Sequence, residues 1–265
     1  MATEAILVTG ATGVLGRHVL ERVRATGRPA RALTRRTALP DDPAVTWFTG
    51  DLAAGTGLDA AFAGVGTVIH CAGDARHYKN DLPAFRHLLE AAERAGVGHV
   101  VNISIVGIDR IPLPYYRIKL EGERLLAASG TGWSNLRATQ FPSLLDAVFS
   151  ALAKFPVLPM LSKTPCQPVD PGEVADRLVE LALGDPVGHA PDVAGPDILP
   201  LTALAQQWLQ AAGRHRPVLP VRVPGRLGAA LRAGHLTAPE RAVGTRTWQQ
   251  FLATKKTNSV PGRAD

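Results

Sequence analysis

The sequence is poor in cysteine: two thiols, Cys71 and Cys166, stand in 265 residues. That is too few for a disulfide framework and fits a reducing compartment. A long, clean apolar run is also missing. The longest candidate, FPSLLDAVFSALAKFPVLPML at 141–161, is interrupted by Asp146, Lys154 and three prolines, so no membrane span is expected there. The start, MATE running into AILV, carries no basic segment and no cleavage pattern. No secretory leader is therefore expected, and the cytoplasm is the expected compartment. The eight histidines show no metal-ligand spacing, so no metal site is expected. Acids are scarce toward the C-terminus, where residues 201–265 hold ten lysines and arginines against two acids. A basic stretch of this kind suits an anionic partner. No aromatic interleaving, helix-turn-helix or zinc pattern accompanies it, so nucleic acid is not expected as a partner.

What is present is the balance of a globular protein, 46% hydrophobic and 20% charged. AILVT at 5–9 is a short, continuous apolar run, as in a strand buried on both faces. Helical spacing in RHVLERVRATG follows, with a glycine stop at Gly27. PARALTRR, AVTWFTGDL, TVIHCAG, HVVNISIVG and GWSNLRATQ read as further strands. LDAAFAGV, PAFRHLLEAAERAGV and a segment over about 114–129 read as helices between them. The alternation predicts an α/β fold, a Rossmann-type doubly wound parallel sheet, with a small C-terminal lobe. Residues 1–141 are the expected dinucleotide-binding core and 142–252 a mixed substrate-side lobe with elements returning to the core. Residues 253–265 read as a disordered tail.

TGATGVLG places Gly10, Gly13 and Gly16 directly after a strand and at the start of a helix. In that context Gly10 makes the tight turn, Gly13 lets a pyrophosphate approach the backbone, and Gly16 allows close helix–strand packing. Thr12, Val14, Leu15 and Arg17 complete the expected cradle. No Gly-Lys-Ser/Thr follows, which excludes a P-loop. At the end of the second strand the chain has Arg35 and Arg36, with no acid until Asp41. Arginines there accommodate a ribose 2′-phosphate, whereas an acid would bind a 2′-hydroxyl. The expected cofactor is NADPH rather than NADH.

PLPYYRIKLEGERLL at 112–126 puts Tyr115 four residues before Lys119, on one face of a helix. With TGATGVLG, GDL at 50–52, HCAG at 70–73 and PYYRIK at 114–119 in order, the chain resembles the short-chain dehydrogenase/reductase superfamily. It looks most like the atypical, NmrA-like branch of NAD(P)H-binding reductases. The resemblance implies that Asp51 and Leu52 flank the adenine and that Ala72 and Gly73 line the ribose path. It implies a catalytic set of Ser104, Tyr115 and Lys119, with Lys119 also on the nicotinamide ribose. Reduction of a carbonyl needs a proton donor, and an ammonium beside a phenol favours the phenolate. Tyr116 is the expected packing or substrate-lining partner. Gln140 and Phe141 fall where family members contact nicotinamide or substrate, and Phe149 belongs to an apolar wall or to plain core.

The activity these expectations describe is NADPH-dependent reduction of a small, moderately hydrophobic carbonyl or quinone-like compound. Two alternatives use the same scaffold: a non-enzymatic NADP(H)-binding regulator, and an enzyme of non-redox cyclisation or dehydration.

Overall fold

The computed structural model describes residues 4–39, 41–73 and 77–259. In chain order the elements begin with β1 (Ala5–Thr9), α1 (Val14–Ala25), β2 (Ala30–Thr34), β3 (Val45–Thr49) and α2 (Leu58–Phe62). Next come β4 (Val65–His70), α3 (Asp81–Arg94), β5 (His99–Ile105), α4 (Pro114–Ala127) and β6 (Gly132–Ala138). Then follow α5 (Pro142–Leu152), β7 (Leu158–Leu161), β8 (Pro165–Cys166), α6 (Pro171–Leu183) and β9 (Gly188–His189). The last are β10 (Leu199–Pro200), α7 (Leu201–Ala211), β11 (Val218–Val221), α8 (Gly225–Arg232) and α9 (Trp248–Ser259). Among the described residues no helix is long and apolar enough to cross a membrane.

The chain divides into two units. The first comprises residues 1–109, 113–137 and 171–191. It holds a seven-stranded sheet in the order β3-β2-β1-β4-β5-β6-β9, with parallel pairing. All residues of β1 and of β4 are buried, because helices cover both faces of the sheet. On one face Leu7, Val68 and Val100 pack with Phe62, Phe85, Leu88 and Leu126 from α2, α3 and α4. Helices α1 and α6 pack together over the other face, where Arg22 of α1 pairs with Asp176 of α6. Strand order reverses between β1 and β4. In open α/β sheets the crevice outside the strands' carboxyl ends at such a point is where ligands bind.

The second unit comprises residues 110–112, 138–170 and 192–265. Strands β7 and β11 pair in parallel, and β8 and β10 antiparallel. Its core gathers Leu145, Phe149, Leu158, Leu204, Trp208 and Trp248. Residues 253–259, read from the sequence as the start of the tail, continue α9. Leu252 anchors that helix in the core, and Lys255 pairs with Asp146. Residues 260–265 lie outside the described residues.

Candidate active site

The glycine loop is shaped by two close approaches. Gly10 has φ +69°, and a Cβ there would stand 2.6 Å from the Ala72 nitrogen. A Cβ on Gly16 would stand 2.1 Å from the Gly10 carbonyl oxygen. Neither position tolerates a side chain, so the loop folds back tightly between β1 and α1. Gly13 is exposed, and an added Cβ there would meet only the Gly10 oxygen, at 3.1 Å.

Beside this loop lies a cavity of about 660 Å³, a volume suited to a small molecule or cofactor. Its walls come from the carboxyl ends of the strands: Gly10, Thr12 and Gly13 after β1, and Thr34, Arg35 and Arg36 at the end of β2. Asp51 and Leu52 follow β3, and Ala72 and Gly73 follow β4. Open backbone at Gly10 and Gly13 beside two arginines fits a dinucleotide phosphate chain. Val14, Leu15, Gly16 and Arg17, also expected in the cradle, do not line the cavity. Leu15 and Gly16 are buried on the inner face of α1, and Val14 and Arg17 are exposed. The backbone at Arg36 is anchored on both sides: its N–H donates to Thr34 Oγ1 and its carbonyl accepts from Thr49 Oγ1, each at 3.2 Å.

Lys119 lines the same cavity. Burial pushes its ammonium toward deprotonation, and the carboxylates of Asp81 and Glu123 act against that. Tyr115, one turn earlier on α4, stands at the rim. Its Oη would be 3.7 Å from a Cβ on Gly73, and Asp81 Oδ2 would be 3.4 Å from the same point. The three tyrosines of the chain stand in a row there, with centroids 6.2 Å apart for Tyr78 and Tyr115 and 6.3 Å for Tyr115 and Tyr116. Tyr116 is the buried member.

Ser104 does not line the cavity. It shares a face of β5 with Asn102, which does. Ser104 Oγ is buried without a hydrogen bond of ordinary geometry, although it stands near enough to Glu123 to favour that carboxylate's charge. The remaining sequence candidates lie in the second unit. Gln140 is committed to internal bonds: its amide donates to the Leu236 carbonyl at 2.9 Å, and its oxygen accepts from Cys166 Sγ at 3.0 Å. Phe141 is half-buried and caps α5. Phe149 is a correction to the substrate-lining expectation, because it is fully buried. Trp208 and Trp248 both meet its ring edge-on at 6.1 Å.

His70 and Cys71 both line the cavity. Strand alternation would set them on opposite faces, but β4 ends at His70 and Cys71 lies beyond it. The Cys71 thiol is pushed up to about 12 by burial, so it is no nucleophile near neutral pH. His70 shares a 2.8 Å hydrogen bond with Thr9 Oγ1, and burial, then Lys119, lowers its pKa from 6.5 to about 3. In the unfolded chain His70 takes a proton below about 6.5, whereas the folded protein refuses it until about 3. The unfolded state therefore binds more protons in that window, and stability falls as pH drops through it. By pH 4.5 this one group is expected to cost about 3 kcal/mol. Urea unfolding at pH 7 and 4.5 should show a loss smaller by that amount in His70→Gln. Equal losses in both proteins would exclude His70 as the source.

Sequence comparison places this site in a family. Residues 10–143, half of the chain, match the NAD(P)H-binding family. The chain belongs to that family. This NAD(P)H-binding protein lies within the atypical, NmrA-like part of the short-chain dehydrogenase/reductase superfamily. It is 30% identical over 220 residues to a (4-alkanoyl-5-oxo-2,5-dihydrofuran-3-yl)methyl phosphate reductase of Streptomyces griseus, covering 79% of this chain and 74% of that one. In fold it is similar to an NADPH-dependent quinone oxidoreductase of Escherichia coli solved with NADPH. That match has a TM-score of 0.79 and 20% identity, covering 94% of this chain and 99% of the other. A Citrobacter triphenylmethane reductase is similar at a TM-score of 0.77 and 18% identity, covering 96% and 99%. This NAD(P)H-binding protein thus has a reductase-type scaffold. The sequence had pointed to the glycine loop, Arg35, Arg36 and Lys119 in the lining of this cavity, but not to Asp81 or Asn102, which no motif marks.

Proposed function

We propose that the protein is an NADPH-dependent oxidoreductase that reduces a small, moderately hydrophobic carbonyl or quinone-like compound. The observation that carries this reading is one cavity with open glycine backbone, two arginines, and a lysine one turn from a rim tyrosine. Gly10 and Gly13 would take the pyrophosphate, and Arg35 and Arg36 the 2′-phosphate. When bound, the dihydronicotinamide supplies hydride. Tyr115 donates the proton from Oη to the substrate oxygen, and the Lys119 ammonium stabilises the phenolate left behind. The Streptomyces griseus relative is itself a reductase by name, which supports reduction over the non-redox alternative.

Calorimetric titration tests the cofactor assignment. Wild type is expected to bind NADPH more tightly than NADH. Arg35→Ala/Arg36→Ala should weaken NADPH by about 10- to 100-fold, the worth of one or two charge-assisted hydrogen bonds. NADH affinity should hold within about threefold if the arginines meet only the 2′-phosphate. Equal affinity of wild type for both cofactors would remove NADPH from the proposal. NADPH consumption over a ketone and quinone panel then tests the chemistry. Tight binding without consumption on any panel member would favour the non-enzymatic regulator.

A further inference from the structure

A chain of buried amides sets the polarity of one wall of the cavity. Glu123 on α4 is 4% exposed. Arg137 donates to it twice, Nε to Oε1 at 2.9 Å and a terminal nitrogen to Oε2 at 2.6 Å. Burial alone would raise the Glu123 pKa, but the guanidinium of Arg137, then the nearby Ser104 hydroxyl and the Asn135 amide, hold it below its ordinary value. An ionised carboxylate only accepts hydrogen bonds. Asn135 therefore turns its amide nitrogen to Glu123 Oε1, at 2.9 Å, and its own oxygen the other way. That oxygen accepts from Asn102 Nδ2 at 2.7 Å. Reversing either amide would set two donors or two acceptors face to face, so the orientations follow from the charge of Glu123.

The last polar atom in the chain is Asn102 Oδ1. It is buried and has no hydrogen-bond partner among the described residues. Asn102 itself is 3% exposed and lines the cavity. A buried carbonyl without a partner is costly and is rarely left so in a folded protein. Asn102 stands on β5, across the switch point from Arg35 and Arg36, which follow β2.

We propose that Asn102 Oδ1 is a binding group for the nicotinamide riboside half of the cofactor, accepting a hydrogen bond from a hydroxyl or amide donor there. Glu123 acts on that site only through Asn135, as a positioning residue. The proposal rests on the dinucleotide reading of the cavity. It assigns a definite polarity to the wall: an acceptor, held in place by the buried charge of Glu123 two side chains away.

The test is calorimetric titration with two ligands, NADPH and adenosine 2′,5′-bisphosphate, which lacks the nicotinamide riboside. Asn102→Leu is expected to bind NADPH about 3- to 10-fold more weakly, the worth of one hydrogen bond. The bisphosphate should bind as it does to wild type, which also shows that the loop and the arginine end remain folded. Asn102→Ala, which adds no bulk against Asn135, should repeat the result if the leucine variant folds poorly. NADPH affinity within twofold of wild type in both variants would overturn the proposal. So would parallel loss of both ligands, since Asn102 would then only hold the fold. Failure of wild type to bind NADPH at all would instead bring down the dinucleotide reading, and this inference with it.

Discussion

Tyr115→Phe is expected to lower kcat by about 10²- to 10⁴-fold, the range for removing a positioned proton donor. NADPH affinity should stay within about twofold, because the lost hydroxyl would hydrogen-bond the substrate rather than the cofactor. The ring itself stays. Tyr115 keeps its edge contact with Tyr78, at 64° between planes, and its packing on Tyr116. Thermal stability should therefore barely move, which separates lost chemistry from lost structure. Steady-state NADPH oxidation beside calorimetric NADPH binding measures both quantities. A variant that turns over at the wild-type rate would remove Tyr115 from the mechanism. Tyr116→Phe serves as the control, since Tyr116 is buried.

Arg137→Leu is expected to be the most destabilising single change, by about 3–5 kcal/mol at neutral pH. The Glu123 side chain is 3% exposed and that of Arg137 20% exposed, so removing arginine leaves a carboxylate with little water to replace it. Asp109 also loses a partner, at 3.4 Å, but it is largely exposed and adds little. The pH dependence has a definite sign. In wild type the Glu123 pKa is held below 4.5, so its contribution is full above that value and is lost as pH falls through the folded pKa. In the variant the carboxyl is protonated more readily, so the gap between the two proteins should narrow between pH 7 and pH 4. Urea unfolding at both pH values measures this. Glu123→Leu/Arg137→Leu should recover most of the loss, because it buries no unpaired charge. A gap that stays constant with pH would exclude the ion pair as its cause.

The parts of this protein that follow local periodicity could be read from the sequence. AILVT and TVIHCAG announced buried strands because every residue of β1 and β4 faces a helix layer. TGATGVLG announced its loop because only glycine tolerates the approaches of 2.6 Å and 2.1 Å found there. Lys119 was legible as the fourth residue after Tyr115, and it does line the cavity. What escaped depends on partners remote in sequence. Phe149 seemed a wall residue in an apolar tract, yet Trp208 and Trp248 enclose it. The helical spacing of α5 was masked because Leu144 and Val148 on its outer side are apolar as well. No motif singled out Asn102 within the strand HVVNISIVG. Its importance depends on Asn135, Glu123 and Arg137, a network no spacing rule encodes.

The path of the chain through its two units bears on how the protein emerges during synthesis. Residues 138–170 belong to the second unit, and only afterwards come α6 and β9 of the first. A nascent chain that has passed β6 therefore lacks one of the helices covering the α1 face, where Val8, Ile69 and Val101 are fully buried in the finished fold. It also presents β6 as an open edge at Ser134 and Asn135, the positions that later pair with Gly188 and His189. Open edges and bare apolar faces invite pairing with other chains. The most aggregation-prone stage should thus span the interval between the appearance of β6 and that of β9, and a pause in translation within residues 138–170 would prolong it.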